Sequence, residues 1–455
     1  MKHKKLGAIL TAAVTAGSLG LTGTIAPPAG ASSVVNLSYT LWDPHEEIGY
    51  EQSIKVFESM HPNIKVTITQ IPYSSYQTKL QEEFSSGTGP DLFWINTPWL
   101  STWIKDGYLV NIMPYLKKWG VNLSIYYPSL VALHEYKGAL YGLPKDWDTI
   151  ALLVNENYMA AHHLSFPTNW NWNPTNGGTF LKFMEEATID TSGNNALSPK
   201  FNSNSVATYG GEMDNSAQTG FENWWQMDGC HIIQEAWATS VSFNTSACDQ
   251  TTQFIRDLMY QYHVYAPGTL LGSDGEAPSG QDQALFAAGK IATLQAGDWE
   301  LTPTAQLVGK KFKIGVVELP AGPDGTWSVF NGLIDGVNVH TKHMAQTLQL
   351  EQWLGSAASQ KIMGEGGYVW PAIKSLDPLF AQSWQKAGID IQPYLNEAHG
   401  NVVDWPNTPG MNQGLTDMGS DMGPIWLGGG SLSSTTSLLS KAYADANHDL
   451  SAAGA

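Results

Sequence analysis

The chain has 455 residues, with 41 acidic against 23 basic side chains and a formal charge of −18, although only 14% of its residues are charged. A surface this acidic repels phosphate backbones and argues against nucleic-acid binding. The length exceeds what one hydrophobic core covers, so two domains are expected.

Residues 1–31 read as a secretory signal peptide. Lys2, Lys4 and Lys5 form its basic start, an apolar run extends from Leu6 to about Leu21, and Ala29-Gly30-Ala31 offers a cleavage site before Ser32. Its removal leaves 20 basic against 41 acidic side chains. No later stretch is apolar for the roughly 18 residues a membrane-spanning helix needs. Strand and helix then alternate. Val34 to Trp42 reads as a strand, Glu46 to Met60 as a helix, and Ile64, Val66 and Ile68 alternate as a second strand. Pro72-Tyr73-Ser74-Ser75 gives a turn and cap before a helix to about Phe84. Gly87-Thr88-Gly89-Pro90 breaks that helix, and Asp91 to Ile95 is a short buried strand. This alternation opens a doubly wound α/β sheet.

Tyr141 to Pro144 leads into a strand over Ile150 to Val154, at the first expected crossing between domains. Residues 170–180 are turn-rich and launch a helix through Ala187; residues 190–220 read as a polar surface loop. Helical patterns cover 221–237 and 249–262, and strands are expected over Lys290 to Leu294 and Lys313 to Val317. A Gly/Ser linker from Gly428 precedes one amphipathic helix carrying Leu438, Leu439, Ala442 and Tyr443. Cys230 and Cys248 are the only cysteines. Export to an oxidising space predicts a bridge between them, with two buried thiols as the alternative.

Tryptophan beside a hydroxyl-binding side chain recurs five times: Trp42-Asp43, Trp94-Ile95-Asn96, Asp146-Trp147-Asp148, Asp298-Trp299-Glu300 and Asp404-Trp405. An indole face packs on the C–H face of a sugar ring, and a neighbouring carboxylate or amide takes up the ring's hydroxyls. A carbohydrate ligand is the expectation. Trp94 alternates inside a buried strand and reads as core; Asp91, Glu46 and Glu47 read as turn or capping carboxylates. The histidines show no metal-ligand spacing, so neither metal nor cofactor is expected. No pair of carboxylates is marked as a glycosidase pair, and G-x-S-x-G, H-E-x-x-H and P-loop signatures are absent.

Several segments, in order, resemble the extracellular solute-binding proteins of bacterial ABC sugar importers, the group that includes maltose-binding protein. They are Phe57 to Val66, Gly87-Thr88-Gly89-Pro90-Asp91-Leu92-Phe93, Gly138 to Asn155, Ala284 to Ala292 with Gly297-Asp298-Trp299, and Pro424 to Gly428. The resemblance implies a two-lobed, type II-like α/β fold with sheets joined by a hinge and a ligand cleft between the lobes. Lobe 1 is then expected over 32–147 and 329–376, and lobe 2 over 148–328 with a helical part at 377–455. It further implies reversible, non-catalytic binding of a mono- or oligosaccharide by a monomer that delivers it to the transmembrane subunits of an ABC permease. The alternatives are a secreted glycosidase and a carrier for a non-sugar solute. Gram-positive members of the family usually carry an acylated Cys near position 24, where this chain has Thr24. An untethered protein, extracellular or periplasmic, is therefore expected.

Loops at the carboxyl ends of strands build the cleft of such a fold. This places Trp42 and Asp43 after the first strand, Asn96 and Trp99 after the third, and Asp146 and Asp148 at the first crossing. Asp298 and Trp299 follow the strand at 290–294, and Asn331 lies near the second crossing. Trp224 or Trp225 is expected to reach the ligand from a helix start in lobe 2, and Trp370 to line the rim.

Overall fold

Three parallel strands organise the first lobe. Val35–Leu41 lies between Ile64–Gln70 and Leu92–Ile95, and Ile334–Val337 adds antiparallel to the outer side of Leu92–Ile95. Leu92–Ile95 is wholly buried, which is why it reads as an unbroken apolar run and not as an alternating one. Asp91 fixes its start by accepting bonds from the Ser38 amide at 2.8 Å and the Ser38 hydroxyl at 2.9 Å. Because these strands run in parallel, Trp42 and Asn96 leave the sheet at the same edge. The protein is described by a computed structural model over residues 33–235, 237–271, 280–428 and 431–455. The signal segment 1–31, its cleavage site, Thr24 and residues 429–430 of the linker lie outside the described residues.

In the second lobe Ile150–Asn155 is the central strand, flanked antiparallel by Thr293–Gly297 and Ile314–Val317. Trp327–Phe330 pairs in parallel with Asn401–Asp404 beside it. The helices Met411–Trp426 and Leu432–Ala453 pack on each other and against Ser246–Tyr260, burying Leu439 and Ala442. The helix Asp377–Lys386 packs instead on Ala357–Gly366, which lies against the first helix of the chain, Pro44–Met60. Among the described residues no helix is long and apolar enough to cross a membrane.

Two expectations change. The helical pattern at 221–237 forms helix only over Glu222–Gln226, because Gly229 turns left-handed with φ 73° and Cys230 is drawn to Cys248. The supposed surface loop at 190–220 pairs Ile189–Asp190 with Val206–Thr208 and ends in a buried π-turn, Ala217–Phe221. Thr191, Ser192, Lys200, Asn202 and Asn204 lie at the surface as expected, whereas Ser216, Gln218 and Thr219 at its end line the cleft.

Cys230 and Cys248 are joined in a disulfide that closes a segment of sequence separation 18 and ties this irregular stretch to the helix Ser246–Tyr260. By chain entropy such a loop contributes about 3 kcal/mol. Cys230→Ser with Cys248→Ser should therefore lower the urea midpoint of the oxidised protein. An unchanged midpoint would show that the bridge constrains nothing.

Candidate functional site

The first strand ends at Leu41, just before Trp42, and Asp43 caps the helix Pro44–Met60, accepting from the backbone amides of His45 at 2.6 Å and Glu46 at 3.0 Å. The third strand ends in the same way. Asn96 caps Thr97–Lys105 by accepting from the Thr97 amide at 2.9 Å, and its amide group donates to the Tyr73 hydroxyl at 2.9 Å. Strand, side chain and helix start thus place both residues by local rules alone.

Three chain segments meet at the base of the cleft. Asp148 and Asn331 exchange backbone bonds at 2.9 and 3.3 Å, and Asp146 accepts from the Leu333 amide at 2.7 Å. Trp370-Pro371 pairs with Asp146-Trp147, stacking the two indoles 4.7 Å apart at 17°. Asn331 also donates to Asn96 at 3.1 Å and accepts from the Thr97 hydroxyl at 2.7 Å. Opposite, Asp298 accepts from the Thr149 amide at 3.3 Å, and Gln218 donates to Asp148 at 3.1 Å.

These residues enclose a cavity of about 430 Å³, within the usual size of small-ligand sites. Its aromatic surfaces are Trp42 and Tyr73 on one side, Trp299 on the other and Trp147 at the base; its polar groups include Asn96, Asn331, Gln70 and Gln218. Trp42 sits in a nest of rings, 4.8 Å from Trp94, 5.0 Å from Tyr76 and 5.4 Å from Trp99 between centroids. Gly297 leaves the space that the Trp299 ring fills, since a Cβ there would lie 2.1 Å from the indole.

The carboxylates are unusually burdened. Burial, then Asp43 and Asp146, holds Glu46 well above its ordinary range. Burial and the Asp146 charge do the same to Asp148, and burial with Asp148 to Asp298. Asp146 is pushed up to about 6 by burial, restrained by Lys145 and the Leu333 amide. Among the described residues no group of three or more His, Cys, Asp or Glu side chains is placed to hold a metal ion.

Of the residues expected at the site, Trp42, Asp43, Asn96, Asp146, Asp148, Asp298, Trp299 and Asn331 line this cavity. Trp99 stands behind it, supporting Trp42 and donating from its indole to Asn412 at 2.8 Å. Trp370 is also behind, fully buried beneath Trp147. Trp224 and Trp225 do not line the cavity. Both are fully buried in the second lobe's core, donating to Gln295 and Thr252 at 2.9 Å each, because the short helix carrying them is covered on both faces.

The sequence reading missed Glu46, Tyr73, Gln70 and Gln218 as lining residues. Glu46 occupies the first helical turn as expected, but the capping role belongs to Asp43 and the Glu46 side chain turns inward. Tyr73 carried a usable signal, an aromatic residue just past a strand end. Gln218 carried none, because only the π-turn brings it forward.

Two lobes with chain crossings between them, and an aromatic, polar cavity at those crossings, define a cleft-type solute receptor. The chain belongs to the bacterial extracellular solute-binding protein family, whose profile matches residues 52–389. It is similar to the galactooligosaccharide-binding protein of Bacillus subtilis (strain 168), 23% identical over 419 residues that cover 90% of this chain and 89% of that one. Among solved structures it is similar to M. tuberculosis UspC, with TM-score 0.72 and 26% identity, covering 91% of this chain and all of that one. The GacH receptor of Streptomyces glaucescens GLA.O, whose structures include complexes with acarbose, matches with TM-score 0.74 and 18% identity over 91% and 99% of the two chains.

Proposed function

We propose that this protein binds a mono- or oligosaccharide reversibly, without turnover, and presents it to the transmembrane subunits of an ABC permease. The observation that carries this reading is the cavity itself, where Trp42, Tyr73 and Trp299 offer ring faces beside Asn96, Asn331 and the three buried carboxylates of Glu46, Asp146 and Asp298. Apolar faces with hydroxyl acceptors at their edges suit a sugar ring better than a flat apolar solute or an anion. The ligands named for the relatives support it. Trp42 and Trp299 would stack on the sugar, and Asn96, Asp146, Asp148, Asp298 and Asn331 would take its hydroxyls.

The crossings at 146–149 and 331–333, with the pairing at 370–371, would serve as the hinge. Lobe 1 would comprise 33–147, 329–376 and, on the packing of the helix Asp377–Lys386, residues to about 388. Lobe 2 would hold the remainder. Closure would bury the ligand between the lobes and report occupancy to the permease. The chain would act as an exported monomer without a lipid anchor.

Tryptophan fluorescence titration against gluco-, galacto- and manno-oligosaccharides tests the reading. Saturable change with no release of reducing ends is expected, together with a smaller radius of gyration by small-angle scattering. New reducing ends would establish a glycosidase instead.

A further inference from the structure

Resting on the sugar-binding reading, we infer that Asn412 is a positioning residue: a releasable tie by which lobe 2 holds the wall behind Trp42 and keeps the cleft closed on its sugar. Asn412 lies in the first turn of the helix Met411–Trp426, in lobe 2, yet lobe 1 uses both polar ends of its side chain. Its carbonyl oxygen accepts from the Trp99 indole at 2.8 Å, and its amide group donates to the Gln77 side-chain oxygen at 2.9 Å. The Lys105 ammonium makes a further tie, donating to the Ala453 carbonyl at the end of the helix Leu432–Ala453. These contacts come from one corner of lobe 2. At Gly410, φ 84°, a Cβ would lie 2.6 Å from the Asp449 carbonyl oxygen, so the start of one helix is pressed against the end of the other.

Each partner in lobe 1 leads to the cavity. Trp99 and Lys105 belong to the helix Thr97–Lys105, which Asn96 caps. The Trp99 ring packs on Trp42 and Tyr73, at 5.4 and 5.3 Å between centroids. Gln77 lies one turn beyond Tyr73 on the helix Tyr73–Ser86. Asn412 itself does not line the cavity, so it acts on the sugar through Trp99 and Tyr73. With the lobes together Trp99 is only 4% exposed, and its N–H depends on Asn412 for an acceptor.

The seam is built to part. At the base of the cleft the lobes share covalent crossings and the backbone bonds of Asp148 with Asn331. At Asn412 they share side-chain bonds, beside a groove of about 650 Å³ whose lining includes Gln77, Gln81, Glu82, Ser85 and Gln413. Every residue lining that groove is polar, so separation exposes amides and hydroxyls that water satisfies at little cost. Two neutral hydrogen bonds bias an open–closed equilibrium by about tenfold, enough to slow sugar release without trapping it.

Stopped-flow and calorimetric titration of the mature chain with maltotriose, galactotriose and mannotriose decide. For the trisaccharide bound most tightly, Asn412→Ala should raise Kd about fivefold to tenfold, chiefly through faster dissociation, with ligand-free melting unchanged. Asn412→Asp, whose carboxylate accepts from the indole and from a turned Gln77 amide, should restore Kd to within about twofold. Trp99→Phe keeps a ring and removes the donor, and combined with Asn412→Ala it should cost clearly less than the product of the two single losses. Wild-type Kd and dissociation rate for Asn412→Ala overturn the tie and leave the sugar-binding reading intact. A loss that Asn412→Asp does not recover, or one matched by lower ligand-free melting, also overturns it, because Asn412 would then be a plain structural residue. A wild type saturated by none of the three sugars, with an unchanged radius of gyration, overturns both.

Discussion

Replacing Trp42 by alanine should weaken sugar binding by at least about thirtyfold, the loss of roughly 2 kcal/mol expected for a central aromatic anchor. The effect has two sources. The first is the missing ring face in the cavity. The second is the nest around it: Trp94, Tyr76, Trp99 and Tyr73 meet Trp42 edge-on at centroid distances from 4.8 to 5.6 Å. Removing the hub lets Trp99 and Tyr73 relax into the space, which deforms the wall that Asn96 supports through its bond to Tyr73. Melting should fall too, since a truncated large aromatic side chain costs about 3–5 kcal/mol when fully buried and somewhat less for this half-buried one. Trp42→Phe should recover most of the stability and part of the affinity. Calorimetry with the sugar identified by fluorescence checks this, and wild-type affinity for Trp42→Ala would remove Trp42 from the site.

The second large effect concerns pH. Without ligand the protein should be most heat-resistant near pH 5 and lose stability towards pH 8. Burial raises Asp146 and Asp282 to about 6 and Glu222 and Glu397 to about 8. It raises Asp377 and the partly exposed Asp404 to about 6 as well. Between the unfolded value near 4 and these folded values the native state holds more protons than the unfolded chain, so stability falls as pH rises through that window. His134 acts the other way. Buried and held at about 4, it favours folding as pH rises towards the ordinary histidine value. One such group offsets only part of the carboxylate effect and sets the maximum above pH 4. A drop in Tm on the order of 5–10 °C between pH 5 and pH 8 is expected, after allowing for solvent at Asp404. Calorimetric scans across this range give the answer; a Tm that climbs steadily to pH 8 would contradict it.

The sequence by itself determined the alternation of the first lobe, and with it much of the site. Trp42, Asp43 and Asn96 are placed by strand ends and helix caps, which are set by neighbours a few residues away. The triplet Asp146-Trp147-Asp148 was legible as a crossing because its flanking strand is a long apolar run. Period and capping are local, so a single chain can be read for them.

Tertiary structure decided the rest. Trp224 and Trp225 have the same composition around them as a sugar-facing pair, but both are sealed by the core of the second lobe. Trp370 and Trp99 differ from true lining residues by one layer of packing, a distinction that no spacing in the chain encodes. Glu46 and Gln218 come to the cavity from a helix start and from a π-turn, and which way each side chain points follows from what fills the opposite side. Sequence patterns fix where a strand or helix begins, because those energies are summed over neighbouring residues. Which face of an indole or carboxylate stays open depends on contacts between segments more than a hundred residues apart, such as Asp148 with Asn331, and these exist only once the lobes are assembled.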